Sequence, residues 1–280
     1  MREYLRSHFG GRLDRSSFLL SGVSRHGDEV LTWPEIILLS ASFIAVLIFA
    51  CVGIQRWVWL DEGNSVLIAL RGPGGIVSSL AVDNNLPFYY FFLWIWTSLF
   101  GISEIALRVP SVFFYLVTCG LVYVLTHCVC QSRLAGTYAF LYFACSSQAI
   151  HQAQKIRMYS LLGCLSALSV LLWFILFQDK RNTRLLYFVY IVVNAIGFLT
   201  HVYFFFVIAA EICACVAWLE WKQVRRMAIS VVISGSIFGI LWGRIFWAQV
   251  HSPAGDWNPR LGYELLRAFF FRSTADGAPC

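Results

Sequence analysis

Charge is what this chain has least of. Only 13% of its 280 residues are Asp, Glu, Lys or Arg, where a soluble protein carries about a quarter. An ordinary soluble globular domain is therefore excluded. The nine cysteines contain no Cys-x-x-Cys. Most of them (Cys51, Cys119, Cys145, Cys164, Cys213 and Cys215) fall in apolar runs, which reads as small packing residues rather than a disulfide or metal framework. A secretory signal peptide is absent, because the first 34 residues are polar and basic. No second histidine stands at ligand spacing from His201, so zinc has no support. Nor do the basic residues form a folded basic face, so nucleic acid is not an expected partner.

Long apolar runs fill the space that charge leaves. They cover 36–57, 107–127, 134–150, 158–177, 185–200, 202–220 and 228–248, and most approach the ~20 residues that a spanning helix needs. The chain therefore reads as an all-α polytopic membrane protein with about seven transmembrane helices. Leu86 to Phe100 is too short for a span and rich in aromatics, which suits an interfacial or re-entrant helix in the first outer loop. A short buried helix is the alternative. Basic residues cluster in the tail (Arg2, Arg6, Arg12, Arg15, Arg25), at Arg133, at Lys180, Arg181 and Arg184, and at Lys222, Arg225 and Arg226. The positive-inside rule assigns these to the cytoplasm. The organisation that follows is a cytoplasmic basic tail (1–34), a transmembrane core (35–250) with an outer loop (58–106), and an outer-face segment (251–280).

With that topology, charges of both signs gather on the outer face beyond what sorting requires. Asp61 and Glu62 follow directly on the first apolar run, and Asp83, Arg71, Glu104 and Arg108 share their loop. His151, Lys155 and Arg157 lie on the next outer segment. A carboxylate there can take a proton from a hydroxyl, and arginine or lysine can neutralise a phosphate leaving group. Plainer readings stand beside these. Asp61 and Glu62 could be solvated loop charges, and Asp83 could cap a helix starting near Pro87. Glu104 and Arg108 could be a helical ion pair, and Arg157 could snorkel from a helix start. Glu211, inside a span, must face protein or water, and packing among polar neighbours is the simple account. The stripe Phe204–Phe206 reads as core or lipid-facing.

The ordered motifs go further. Trp59-Leu-Asp61-Glu62 is followed by Asp83-Asn-Asn-Leu-Pro87-Phe-Tyr-Tyr90 and by Phe100-Gly-Ile-Ser-Glu104-Ile-Ala-Leu-Arg108-Val-Pro110-Ser111. Then come Gln152-Ala-Gln-Lys-Ile-Arg157-Met-Tyr159 and Thr200-His201-Val-Tyr203. In order and spacing across roughly 35–260 this resembles the GT-C class of polytopic glycosyltransferases, in particular its protein-mannosyltransferase-like and lipid-A aminoarabinose-transferase-like members. The resemblance implies sugar transfer from a polyprenyl- or dolichyl-phosphate donor to a protein, lipid or glycan acceptor. Transfer would occur on the non-cytoplasmic face of a bacterial plasma membrane or the endoplasmic reticulum, with inversion at the anomeric carbon. It makes Asp61 the base and Glu62 its neighbour in the site. It makes Arg108 and Arg157 the phosphate-holding candidates, with Asp83, Lys155, Tyr159 and His201 also on the substrate.

The chain departs from the family pattern where Asn84-Asn85-Leu86-Pro87 replaces x-His-Pro-Pro, and where Lys155 replaces an acidic residue. Both changes remove cation ligands, so a divalent cation is disfavoured and no other cofactor is implied. Relatives continue with further spanning helices, so a truncated form is one reading of the chain's length. A non-catalytic accessory subunit or a transporter is the rival class, but no internal repeat or mid-membrane polar cluster favours a transporter.

Overall fold

An apolar run in a bilayer must satisfy its backbone hydrogen bonds internally, and a helix does so. The computed structural model describes residues 44, 46–48, 58–178, 184–217 and 221–251, and every regular element among these described residues is helical. The basic tail, most of the first apolar run, Lys180, Arg181 and the segment after His251 lie outside the described residues.

Three short helices form the loop expected on the outer face, called the outer loop for that expectation: α1 (Leu60–Leu70), α2 (Gly72–Leu80) and α3 (Phe88–Phe100). Then follow α4 (Glu104–Cys130), α5 (Arg133–Ala144), α6 (Ser147–Ala153), α7 (Tyr159–Gln178), α8 (Arg184–Thr200), α9 (Phe204–Ala217) and α10 (Trp221–Val250). Helices α4, α7 and α10 are long and apolar enough to cross a membrane, while α3, α8 and α9 are shorter apolar helices. At 1.5 Å per residue the 27 residues of α4 reach about 40 Å, more than the ~30 Å hydrocarbon core. Large apolar side chains such as Phe113, Val232 and Ile240 are exposed on α4 and α10, as lipid-facing surfaces are. The chain is an all-α membrane protein.

One expected span is divided for a local reason, and the run expected not to span is short. The run 134–150 is divided at Cys145–Ser146, where Ser146 takes an extended conformation before α6. Hydroxyl side chains there compete with the helical ladder. The run 86–100 gives α3, of 13 residues, about 20 Å long and too short to span. It ends at Gly101 with φ +79°, a conformation that suits glycine.

Helix α3 packs against α1, α2, α4 and α8, and so seats the outer loop on the bundle. One contact follows directly from a proline. Pro110 lies inside α4 and has no N–H, so the Ala106 carbonyl loses its helical donor. Trp96 Nε1 on α3 donates to that carbonyl at 2.8 Å. Gln249, near the end of α10, donates to the carbonyls of Leu80 (2.6 Å), Asp83 (2.7 Å) and Asn85 (3.1 Å). It thereby ties the loop before α3 to the last helix.

The α8–α9 corner is close-packed. A Cβ added at Gly197 would come within 2.5 Å of the ring of Phe204, which is fully buried. Gly197→Ala is therefore expected to destabilise by about 1–3 kcal/mol through overpacking. The check is a lowered melting temperature of the purified protein, with Ala195→Gly as a control free of that clash. Deeper in the bundle, Glu211 accepts from Tyr190 Oη, and Ser169 Oγ lies 2.9 Å from Glu211 and 2.8 Å from Asn194 Oδ1. The buried carboxyl group of α9 thus packs among polar neighbours drawn from α7 and α8.

Candidate active site

The long helices alternate in direction, so the N-termini of α4, α7 and α9 meet the C-termini of α8 and α10 at one end. The outer loop sits there, as do the 154–158 segment and the 201–203 turn. Arg133, Arg184, Lys222, Arg225 and Arg226 lie at helix ends on the opposite side.

Asp61 and Glu62 occupy the first turn of α1, where carboxylates suit the positive end of a helix dipole. Successive helical residues differ by about 100° in direction, so the two acids cannot face the same surroundings. Asp61 is exposed; Glu62 is buried. Glu62 Oε2 accepts from the Trp59 N–H (3.1 Å), half of a capping box. The same oxygen pairs with Arg108 Nη2 at 3.2 Å, and Oε1 accepts from the Ile156 N–H at 3.2 Å.

Arg108 is only 1% exposed. Besides Glu62 its guanidinium donates to the carbonyls of Gln154 (Nε, 3.0 Å) and Glu104 (Nη1, 3.5 Å). Ser111 Oγ donates to the Lys155 carbonyl at 2.6 Å. Three consecutive residues, 154 to 156, are therefore held by backbone bonds to α4 and to Glu62. Glu62 and Arg108 commit their hydrogen-bonding groups to each other and to backbone. Arg108 and Glu62, both expected at the substrate, are thus buried in this structure and paired with each other. The i,i+4 reading of Glu104 and Arg108 also changes: the arginine reaches the Glu104 carbonyl and pairs with Glu62.

The ledge so fixed carries Arg157. Its Nη1 donates to Ser65 Oγ (3.2 Å) and to the Asp61 carbonyl (3.4 Å), and its guanidinium lies 5.9 Å from the Tyr159 ring centre. Burial works against this cation, but Tyr90, Tyr159 and Asp61 around it hold its pKa above the ordinary value. The Tyr159 ring lies 5.6 Å from His201, which lies 4.6 Å from Tyr203. The Tyr203 N–H donates to His201 Nδ1 at 3.1 Å. Nδ1 is thus the acceptor nitrogen, leaving Nε2 to carry the proton of a neutral ring. Burial, and secondarily Arg157, lower the His201 pKa and favour that neutral form.

The structure therefore brings Asp61, Arg157, Tyr159 and His201 into one row, with Lys155 on the same ledge. Asp83, placed on the substrate by the resemblance, does not cap α3, the plainer reading of it. Its carboxylate accepts from the Asn84 N–H (2.7 Å) and Asn85 Nδ2 (3.0 Å), and α3 begins after Pro87 without a side-chain cap. Among the described residues no three His, Cys, Asp or Glu side chains gather as a metal site.

Under the row lie two tyrosines that sequence reasoning passed over as part of an aromatic segment. Both are buried. Burial raises the Tyr89 pKa, with Tyr90 adding to it and Arg157 and Ser111 opposing it. Burial pushes Tyr90 up to about 12, with Arg157 opposing and Asp83 reinforcing the shift. A Tyr-Tyr pair beginning two residues after Pro87 was the available signal, because a fully buried apolar position would be served by phenylalanine.

The family model for dolichyl-phosphate-mannose-protein mannosyltransferase matches residues 84–243. The chain belongs to that family. It is a membrane glycosyltransferase of the GT-C type. Within this mannosyltransferase-family chain, Arg108, Lys155, Arg157, Tyr159 and His201 fall inside the matched residues, and Asp61, Glu62 and Asp83 precede them. A search of curated proteins and a search of solved structures each returned no match.

Proposed function

We propose that the protein transfers a sugar, mannose or a similar hexose or pentose, from a polyprenyl- or dolichyl-phosphate donor to a hydroxyl acceptor on the non-cytoplasmic face of its membrane. The observation that carries this reading is the exposed Asp61 beside Arg157, on a ledge that Glu62 and Arg108 hold rigid. Asp61 removes the proton of the acceptor hydroxyl as general base. The acceptor oxygen attacks the anomeric carbon, whose bond to the phosphate oxygen breaks with inversion. The electron pair leaves on the polyprenyl phosphate, whose charge Arg157 neutralises, with Lys155 and the His201 Nε2–H as further donors. Tyr159 keeps Arg157 and His201 apart at a fixed spacing, and Asp83 borders the row.

Glu62 and Arg108 act through the ledge, without touching substrate. The basic helix ends opposite the site support an outward-facing active site by the positive-inside rule. Cationic side chains supply the charge that a divalent metal would otherwise bring, and we propose that none is required.

The test is release of polyprenyl phosphate by the purified full chain from a panel of polyprenyl- and dolichyl-phosphate sugars. One sugar is expected to be consumed, with at least about half the rate retained in EDTA. Consumption of nucleotide sugars instead, or of no lipid-linked donor, would overturn the reading.

A further inference from the structure

Tyr90 is the buried polar group that this mechanism leaves idle. It sits on α3 with its side chain wholly enclosed, and its hydroxyl has no hydrogen-bond partner among the described residues. Ser65 is close enough to interact with it, but Ser65 Oγ is already engaged with the Asp61 carbonyl and with Arg157. A phenol buried without a partner costs free energy that phenylalanine would avoid. Phenylalanine is the flanking residue on three sides in sequence, at Phe88, Phe91 and Phe92.

The place of the hydroxyl is informative. Arg157, Ser65, Asp83 and Tyr159 are its polar and charged neighbours. Ser65 Oγ already donates to the Asp61 carbonyl (2.9 Å) and accepts from Arg157. Arg157 is half-buried, and its two Nη1 bonds to α1 are long, at 3.2 and 3.4 Å. A guanidinium drawn towards an anion at this spot would leave the phenol beside the same anion.

We propose that the Tyr90 hydroxyl donates a hydrogen bond to the phosphate of the lipid-linked donor, forming with Arg157 a two-sided anion cradle. The proposal rests on the donor class proposed above and adds a residue to it. A phosphate oxygen is favoured over a sugar hydroxyl because the neighbouring guanidinium makes the spot attractive to an anion, and charge-assisted hydrogen bonds are the strong ones. The raised pKa keeps the phenol protonated and able to donate.

The experiment uses the purified full chain and two probes, dolichyl phosphate and dolichol, with binding and melting temperature measured for wild type and Tyr90→Phe. Wild type is expected to bind dolichyl phosphate more tightly than dolichol. Tyr90→Phe should weaken dolichyl phosphate roughly tenfold or more, as loss of a hydrogen bond to a charged group does, and leave dolichol unchanged. Without ligand, Tyr90→Phe should melt at or above the wild-type temperature, since it removes an unpartnered hydroxyl. A lower melting temperature with unchanged discrimination between the probes would make Tyr90 structural and overturn the proposal. Equal binding of the two probes by wild type would overturn the donor class itself, and is read separately from any effect of Tyr90.

Discussion

Asp61→Asn is expected to slow sugar transfer by at least about a hundredfold, the lower range of what a positioned general base contributes. Asparagine has the same shape and cannot accept the proton. The substitution is structurally mild because the side chain is exposed and the fold uses the backbone of this residue. Its carbonyl accepts from Ser65 Oγ at 2.9 Å and from Arg157 at 3.4 Å, and both bonds survive. The stabilising terms lost are the carboxylate's interaction with the α1 dipole, about 0.3–1 kcal/mol, and its attraction to the half-buried Arg157. The melting temperature should therefore stay close to wild type, and dolichyl phosphate binding should persist. Asp61→Glu, which keeps the carboxylate, should recover part of the rate. Asparagine at more than a tenth of wild-type activity would end the case for Asp61 as base.

Glu62→Gln is expected to do the reverse, damaging the fold first and catalysis through it. The carboxylate pairs with an arginine 1% exposed, and removing one partner of a buried pair costs about 3–5 kcal/mol because the other charge is left uncompensated. Two backbone donors, Trp59 N–H and Ile156 N–H, also depend on its two oxygens. A glutamine has one carbonyl oxygen, so its amide N–H groups must meet a donor. The melting temperature should fall well below that of Asp61→Asn, and transfer should fall as the ledge carrying Arg157 loosens. Glu62→Gln combined with Arg108→Met should melt above Glu62→Gln alone, since no buried charge then lacks a partner. A Glu62→Gln protein that melts like wild type would show that the pair does not hold the ledge.

The two variants separate neighbours that the sequence presents as equivalent. Adjacent acids after an apolar run read as a site, and the surrounding motifs supported that reading. Which of them meets solvent depends on the face of α1 that packs inward. Glu62 is fixed by Arg108, 46 residues away, and by Ile156, 94 residues away. Arg108 illustrates the same point. Its motif pointed to phosphate binding, but a side chain's burial is set by what closes over it, here the 154–156 segment. Tyr90 was hidden for the opposite reason. Inside Phe88-Tyr-Tyr-Phe-Phe92 it looks like bilayer anchoring, and only the tertiary neighbours show that its hydroxyl lacks a partner.

Other features were legible because their causes are local. Scarce charge and long apolar runs determine helices in a membrane, since nothing else satisfies a backbone there. The length of 86–100 determines a helix that cannot span. The family itself was readable from ordered motifs whose spacing survives without coordinates. What only the tertiary structure decided is which polar groups are spent on one another and which are left facing outward. That depends on contacts between segments far apart in the chain, and helical periodicity carries no record of them.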